Sequence, residues 1–147
     1  MRNKIILTGI LLFFFGFPVA GLLYFWADMQ RKVESSAAEF VDEVGTEVLT
    51  KWDYDLLANE GTMTLKTELQ ANEFEKWHLQ LGEFQSIGDL KNKKVWAAPR
   101  NDMMWQFTSF DAPVKFANGN ATLRATVTRK TVGPRWRFEA FDLVPTR

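Results

Sequence analysis

Hydrophobic positions along the chain fall into three regimes. Residues 5–27, IILTGILLFFFGFPVAGLLYFWA, carry no charged side chain. From residue 33 the apolar positions step by three and four, through Val33, Ala37, Phe40, Val41, Val44, Val48, Trp52, Leu56 and Leu57, which predicts one amphipathic helix over 33–58. A short helical piece over 64–69 is expected next. Phe74, Trp77, Leu81 and Phe84 again step by three and four, so a further helix is predicted over 71–81, ended by Gly82.

Beyond Gly82 the period changes to two. Val95, Trp96 and Ala97 suit a short strand, and Met103, Trp105 and Phe107 alternate with Met104, Gln106 and Thr108 along a longer one. Pro113 lacks the donor of a ladder hydrogen bond, so an interruption is expected near it. Asn118-Gly119 is the pair that accepts positive φ at both centres of a type I′ turn, and a hairpin is predicted there. Leu123, Ala125 and Val127 then alternate with Arg124, Thr126, Thr128 and Lys130. After Gly133-Pro134, Trp136, Phe138 and Ala140 alternate with Arg135, Arg137 and Glu139. Helices followed by one-sided antiparallel strands define an α+β class, with helices packed on a curved sheet of about four strands.

The uncharged run at 5–27 would make a helix of roughly 34 Å against a hydrocarbon core of ~30 Å, which predicts a single transmembrane helix. The predicted organisation is a tail at 1–4, a span at 5–27, a linker at 28–36 and an α+β domain at 37–147. A cleaved signal peptide is the competing reading, but the apolar stretch outlasts an ordinary h-region. Arg2 and Lys4 before the span favour a cytoplasmic N-terminus, and hence an inner-membrane protein with an extracytoplasmic, periplasmic domain. Gly9, Gly16 and Ala20 recur at seven and four, a small-residue face on which a second helix could pack in self-association or with a partner.

Composition narrows the function more than it names it. The chain has 18 basic and 18 acidic side chains; Arg2 and Lys4 precede the span and no acid does, so the remainder holds two more acids than bases. That balance, with no aromatics set among the cations to stack bases, argues against nucleic acid. Absence of cysteine removes disulfides and thiolate metal sites. His78 is the sole histidine and has no convergent carboxylate in its pattern, giving neither a triad nor a metal centre, and no cofactor is indicated. Asp53-Tyr54-Asp55 fits a polar helix face better than a catalytic pair.

Two candidate sites remain. Strict alternation in the last strand would place Asp142 inward with Trp136 and Phe138, opposite Trp105 and Phe107, forming an apolar pocket with one acid; a bulge near Ala140-Phe141 would instead turn Phe141 and Leu143 inward and Asp142 to water. Arg124, Lys130, Arg135 and Arg137 form a basic stripe on or beside the polar face of the final hairpin. Such a stripe suits an acidic partner or anionic headgroups, or is simply solvated.

The long helix, the Leu81-Gly82-Glu83-Phe84 turn, the Phe116-Ala117-Asn118-Gly119 hairpin and the late Trp136-Arg137-Phe138 together resemble the nuclear-transport-factor-two-like, ketosteroid isomerase-like cone, in its small membrane-tethered bacterial form. The resemblance implies a cone of helices on a curved sheet and brings no activity with it. It leads to the expectation of a binding or scaffold subunit of an envelope or secretion-type complex, with a protein partner at the bilayer. The alternative is an anchored enzyme or carrier of a small apolar ligand held inside the cone.

Overall fold

A computed structural model of the chain describes residues 17–131 and 133–147. Four helices precede five strands: α1 (Phe17–Lys51), α2 (Tyr54–Asn59), α3 (Met63–Glu68), α4 (Ala71–Leu81), β1 (Phe84–Ile87), β2 (Lys91–Arg100), β3 (Met103–Phe116), β4 (Gly119–Lys130) and β5 (Arg137–Thr146). The chain divides into two compact units at Ser35/Ser36, within α1.

The first unit corrects the transmembrane expectation. Residues 5–16 of the expected span, with Gly9 and Gly16 of its contact face, lie outside the described residues; Ala20 stands exposed on α1. The described part of the run does not end at a linker. It continues as helix through Asp28, Arg31, Lys32 and Glu34, and Lys32 bonds Asp28 at 2.9 Å one turn away. Among the described residues no helix is long and apolar enough to cross a membrane. The described apolar part of α1, residues 17–27, covers about 16 Å before the charges begin at Asp28, short of a ~30 Å hydrocarbon core. Val19, Leu22, Leu23, Tyr24, Phe25 and Trp26 are each more than half exposed.

In the second unit the helices and the sheet are held by a two-residue-period face. Thr108, Phe110, Ala112, Val114 and Phe116 of β3, Ala121, Leu123, Ala125 and Val127 of β4, and Phe138, Phe141 and Leu143 of β5 are all buried. Against them stand Val41, Val48 and Leu49 of α1, Leu57 of α2, Leu65 of α3, and Phe74 and Leu81 of α4. Aromatic pairs bind the layers: Phe40 to Phe138 at 5.0 Å, Phe74 to Phe141 at 6.5 Å and Trp52 to Phe116 at 5.5 Å between ring centroids.

The helix expected over 33–58 breaks in two. Trp52 adopts φ 49, and the Asp53 N–H reaches back to the Val48 carbonyl at 3.2 Å, closing α1 with a left-handed cap in which tryptophan stands where glycine is usual. The side chain offsets the backbone cost: its ring stacks on His78 at 4.8 Å, and its Nε1 donates to the Gly82 carbonyl at 3.1 Å. Asp53 then caps α2, accepting from the Leu56 N–H at 3.0 Å.

The sheet has five strands rather than about four: the added one is β1, which pairs with β3 beyond the end of β2, and the expected short strand at 95–97 extends to ten residues as β2; the order is β1-β3-β4-β5, with β2 also on β3. Pro113 does not interrupt β3. Its carbonyl accepts the Gly88 N–H at 2.7 Å, so its nitrogen faces the same side, where the β2 ladder has ended at Asp111 and the β1 ladder begins at Val114. No ladder bond is lost there. The β3–β4 hairpin forms where expected, but its loop is Ala117-Asn118 and neither residue has positive φ. The paired positive φ values, 50 and 60, belong to Asn101 and Asp102 between β2 and β3.

Two substitutions test this packing by urea unfolding. Gly82 has φ 75 and ψ −157, and an added Cβ would lie 2.8 Å from Asn118 Nδ2, so Gly82→Ala is expected to destabilise by about 1–3 kcal/mol. Thr108 is fully buried and its hydroxyl has no partner among the described residues, so Thr108→Val is expected to stabilise by about 1 kcal/mol. A midpoint that fails to fall in the first case, or falls in the second, contradicts these assignments.

Candidate functional site, a basic cleft

The final strand departs from strict alternation. Thr126 pairs with Ala140 but Val127 pairs with Phe138, so Glu139 is an extra residue on β5. This bulge puts Phe141 and Leu143 inward and leaves Asp142 exposed. It also turns Glu139 into a polar cluster. Arg100 Nη2 donates to Glu139 Oε1 at 2.6 Å and Nη1 to Oε2 at 3.2 Å, while the Thr62 hydroxyl donates to Oε2 at 2.8 Å. The same Thr62 oxygen, at the N-cap of α3, accepts from the Leu65 N–H at 3.4 Å.

Burial opposes ionisation of Glu139, but the Arg100 guanidinium and the Thr62 hydroxyl outweigh it, with a smaller part from Thr64, and hold the carboxyl below its ordinary value. The pair sets a geometric condition. β2 and β5 are three strand spacings apart, about 14 Å in a flat sheet, so the sheet must curl for Arg100 to reach Glu139.

Within this curl lies a cleft of about 800 Å³, lined among others by Thr62, Met63, Arg100, Trp105, Lys130 and Arg137. Arg135 and Pro134 complete one wall. Four cations face it, and among the described residues no acidic side chain lines it. Arg100 is engaged by Glu139, and Arg135 Nη2 reaches Glu60 Oε1 at 3.0 Å. Among the described residues, Lys130 and Arg137 have no carboxylate within ion-pair distance. They are diagonal neighbours on one face, since Lys130 is opposite Trp105 and Arg137 opposite Thr128. Met63 in the cleft wall and Met103 and Met104 beside Arg100 are all exposed.

Three of the four stripe residues therefore converge, and Arg124 does not. It lies about 20 Å along β4 from Lys130, between Asp111 and Asp142 on the neighbouring strands. The expected apolar pocket is not assembled. Phe138 is fully buried against Phe40 and Phe141 on the helix side, whereas Phe107 packs on the opposite face, stacked on Trp96 at 5.2 Å with Arg100 above it at 5.3 Å. Trp136 is buried beneath Arg129 at 4.6 Å and donates its indole N–H to Ser36 Oγ at 2.9 Å. Trp105 alone of the set lines the basic cleft; Asp142 lines a separate groove of about 280 Å³ with Glu68, Glu73 and Trp77.

Tyr54 is committed to structure, its hydroxyl donating to the Leu69 carbonyl at 2.6 Å. His78 is stacked on Trp52 and lies 3.6 Å from Glu83. Among the described residues no group of three His, Cys, Asp or Glu is placed to hold a metal ion. Arg100 and Thr62 are the site residues that pattern alone missed. Arg100 sits next to Asn101-Asp102, a dipeptide suited to a primed turn, and that was the available signal.

Fold and cleft together define an α+β domain with helices on one sheet face and an anion-attracting cleft at the curled end of that sheet. No protein-family model, curated protein or solved structure matches the chain.

The lowered Glu139 pKa fixes a sign. Its stabilising contribution is present above the unfolded carboxyl value and is lost as pH falls through the folded one. Glu139→Gln is expected to cost about 1–3 kcal/mol at neutral pH and to flatten the stability profile below about pH 4.5. Unfolding midpoints measured from pH 7 down to acid in both proteins check this; parallel profiles would contradict it.

Proposed function

We propose that this domain is a protein-binding module that docks an acidic, apolar-flanked segment of a partner in the basic cleft. The observation that carries the reading is the pair Lys130 and Arg137, two cations on one face of a cleft lined by no described acid, neither neutralised by a described carboxylate. Their charge is available to a partner and would speed encounter as well as hold it. The exposed Met63 in the cleft wall supplies adaptable apolar contact, which suits a peptide better than a free ion. The layout of helices on a curled sheet is also compatible with the cone-like resemblance, which stays part of this proposal.

A carrier for a small apolar ligand is less well supported. The aromatics that would line such an interior are divided between the two sheet faces, and Phe138 and Phe107 are packed against neighbours.

Titration calorimetry of the full chain with a short peptide of alternating Glu and Leu tests the proposal. The double variant Lys130→Glu, Arg137→Glu is expected to weaken binding at least about tenfold, and Arg124→Glu to leave it unchanged. Affinity should also fall as salt rises through the physiological range of about 0.15 M. Equal losses from Arg124→Glu and the double variant would place the interaction elsewhere.

A further inference from the structure

Trp105, which lines this cleft, carries an unexplained polar atom. Its Nε1 is sealed from solvent and has no acceptor among the described residues, although the ring itself lines the cleft. Of the other cleft-facing donors, Arg100 is engaged by Glu139 and Arg135 by Glu60. Two cations cover the indole, Arg100 at 5.8 Å and Lys130 at 5.7 Å from its centroid. Lys130 is the less constrained of the two, since it is exposed and has no carboxylate partner among the described residues, whereas Arg100 makes two bonds to Glu139.

A buried donor without an acceptor is costly, and an incoming oxygen that meets it recovers that cost. A carboxylate drawn in by Lys130 and Arg137 would move the lysine from the indole face towards itself. That movement removes one of the two cations packed against the indole. The charge then attracts the ligand and the indole N–H orients one of its oxygens, a division between long-range and directional interactions.

We propose that Trp105 is the specificity-determining residue of the cleft, its Nε1–H donating to a side-chain carboxylate of the docked segment while Lys130 leaves the ring to pair with the same group. This rests on the cleft being the docking site. It adds a commitment about the ligand: the bound group is an acceptor with an oxygen in the indole plane, carried on a peptide whose apolar residues meet Met63.

The test tracks the indole ¹⁵N–H resonance of Trp105 in the full-length chain, assigned by comparison with Trp105→Phe, as the Glu-Leu peptide is added. The expected result is a downfield shift that saturates with binding, together with about tenfold weaker binding of Trp105→Phe, the loss of one directed hydrogen bond. Both are required. If the peptide binds and the Lys130→Glu, Arg137→Glu variant abolishes that binding while the resonance stays in place or Trp105→Phe binds normally, the cleft stands and the role of Trp105 falls. If the peptide does not bind the unaltered protein, the docking proposal falls and this one with it. Inorganic phosphate that shifts the resonance as far as the peptide at equal concentration identifies a free-anion site and overturns the peptide assignment. Because the shift is read on the unaltered protein, a variant that folds poorly does not remove the test.

Discussion

The contact between Arg100 and Glu139 is the constraint to which the cleft is tied. Its two bonds join strands that are not neighbours, so it ties the end of the β2–β3 hairpin to the far side of the sheet. Breaking such a pair costs more than the pair contributes net, because Arg100 and Thr62 would lose a charged acceptor. The pair's effect is geometric: it curls the sheet, occupies one cation of the cleft and leaves the next two available. Thr62 ties the same carboxylate to the start of α3, so one side chain coordinates a hairpin, an edge strand and a helix cap.

Glu139 can act this way only because β5 contains a bulge. With strict alternation after Phe138, Ala140 and Asp142 would face the helices and Phe141 and Leu143 would face water. One extra residue exchanges those assignments, burying two large apolar side chains and aiming the glutamate at Arg100. Core packing and cleft electrostatics are thus set at the same backbone position.

Much of the fold was legible from spacing. α4 and its stop at Gly82, α3, and the inward face of β4 emerge from period and punctuation, and Lys130 and Arg137 share a face by alternation. The break at Trp52 was hidden because tryptophan fits the apolar period and carries no turn signal; only its contacts with His78 and Gly82 make the left-handed backbone tolerable. The length of β2 was hidden for a different reason. Its exposed Lys91, Asn92, Lys93 and Lys94 show no apolar alternation, although the backbone pairs with β3. The site was legible only in part, since Arg124 obeys the same alternation as Lys130 yet is distant from it, while Arg100 joins from a strand remote in sequence. The apolar run at 5–27 predicted a span that the described helix, with charges from Asp28 onwards, does not provide.

The segment Glu60-Gly61-Thr62 has a consequence beyond placing a cap. It lies along the outer edge of β5 as a short parallel bridge, with the Phe138 N–H donating to the Glu60 carbonyl at 2.8 Å and the Thr62 N–H to the Phe138 carbonyl at 2.9 Å. An edge strand with free backbone groups is a template on which another chain can extend the sheet. Here the bridge occupies the start of that edge, the bulge distorts the strand at Glu139, and Pro145 stands near the far end; the other edge carries the lysines of β2. The molecule therefore guards its sheet against strand-by-strand polymerisation, and the glycine at 61 fits that defence, because a Cβ there would meet the Leu65 side chain and require it to shift.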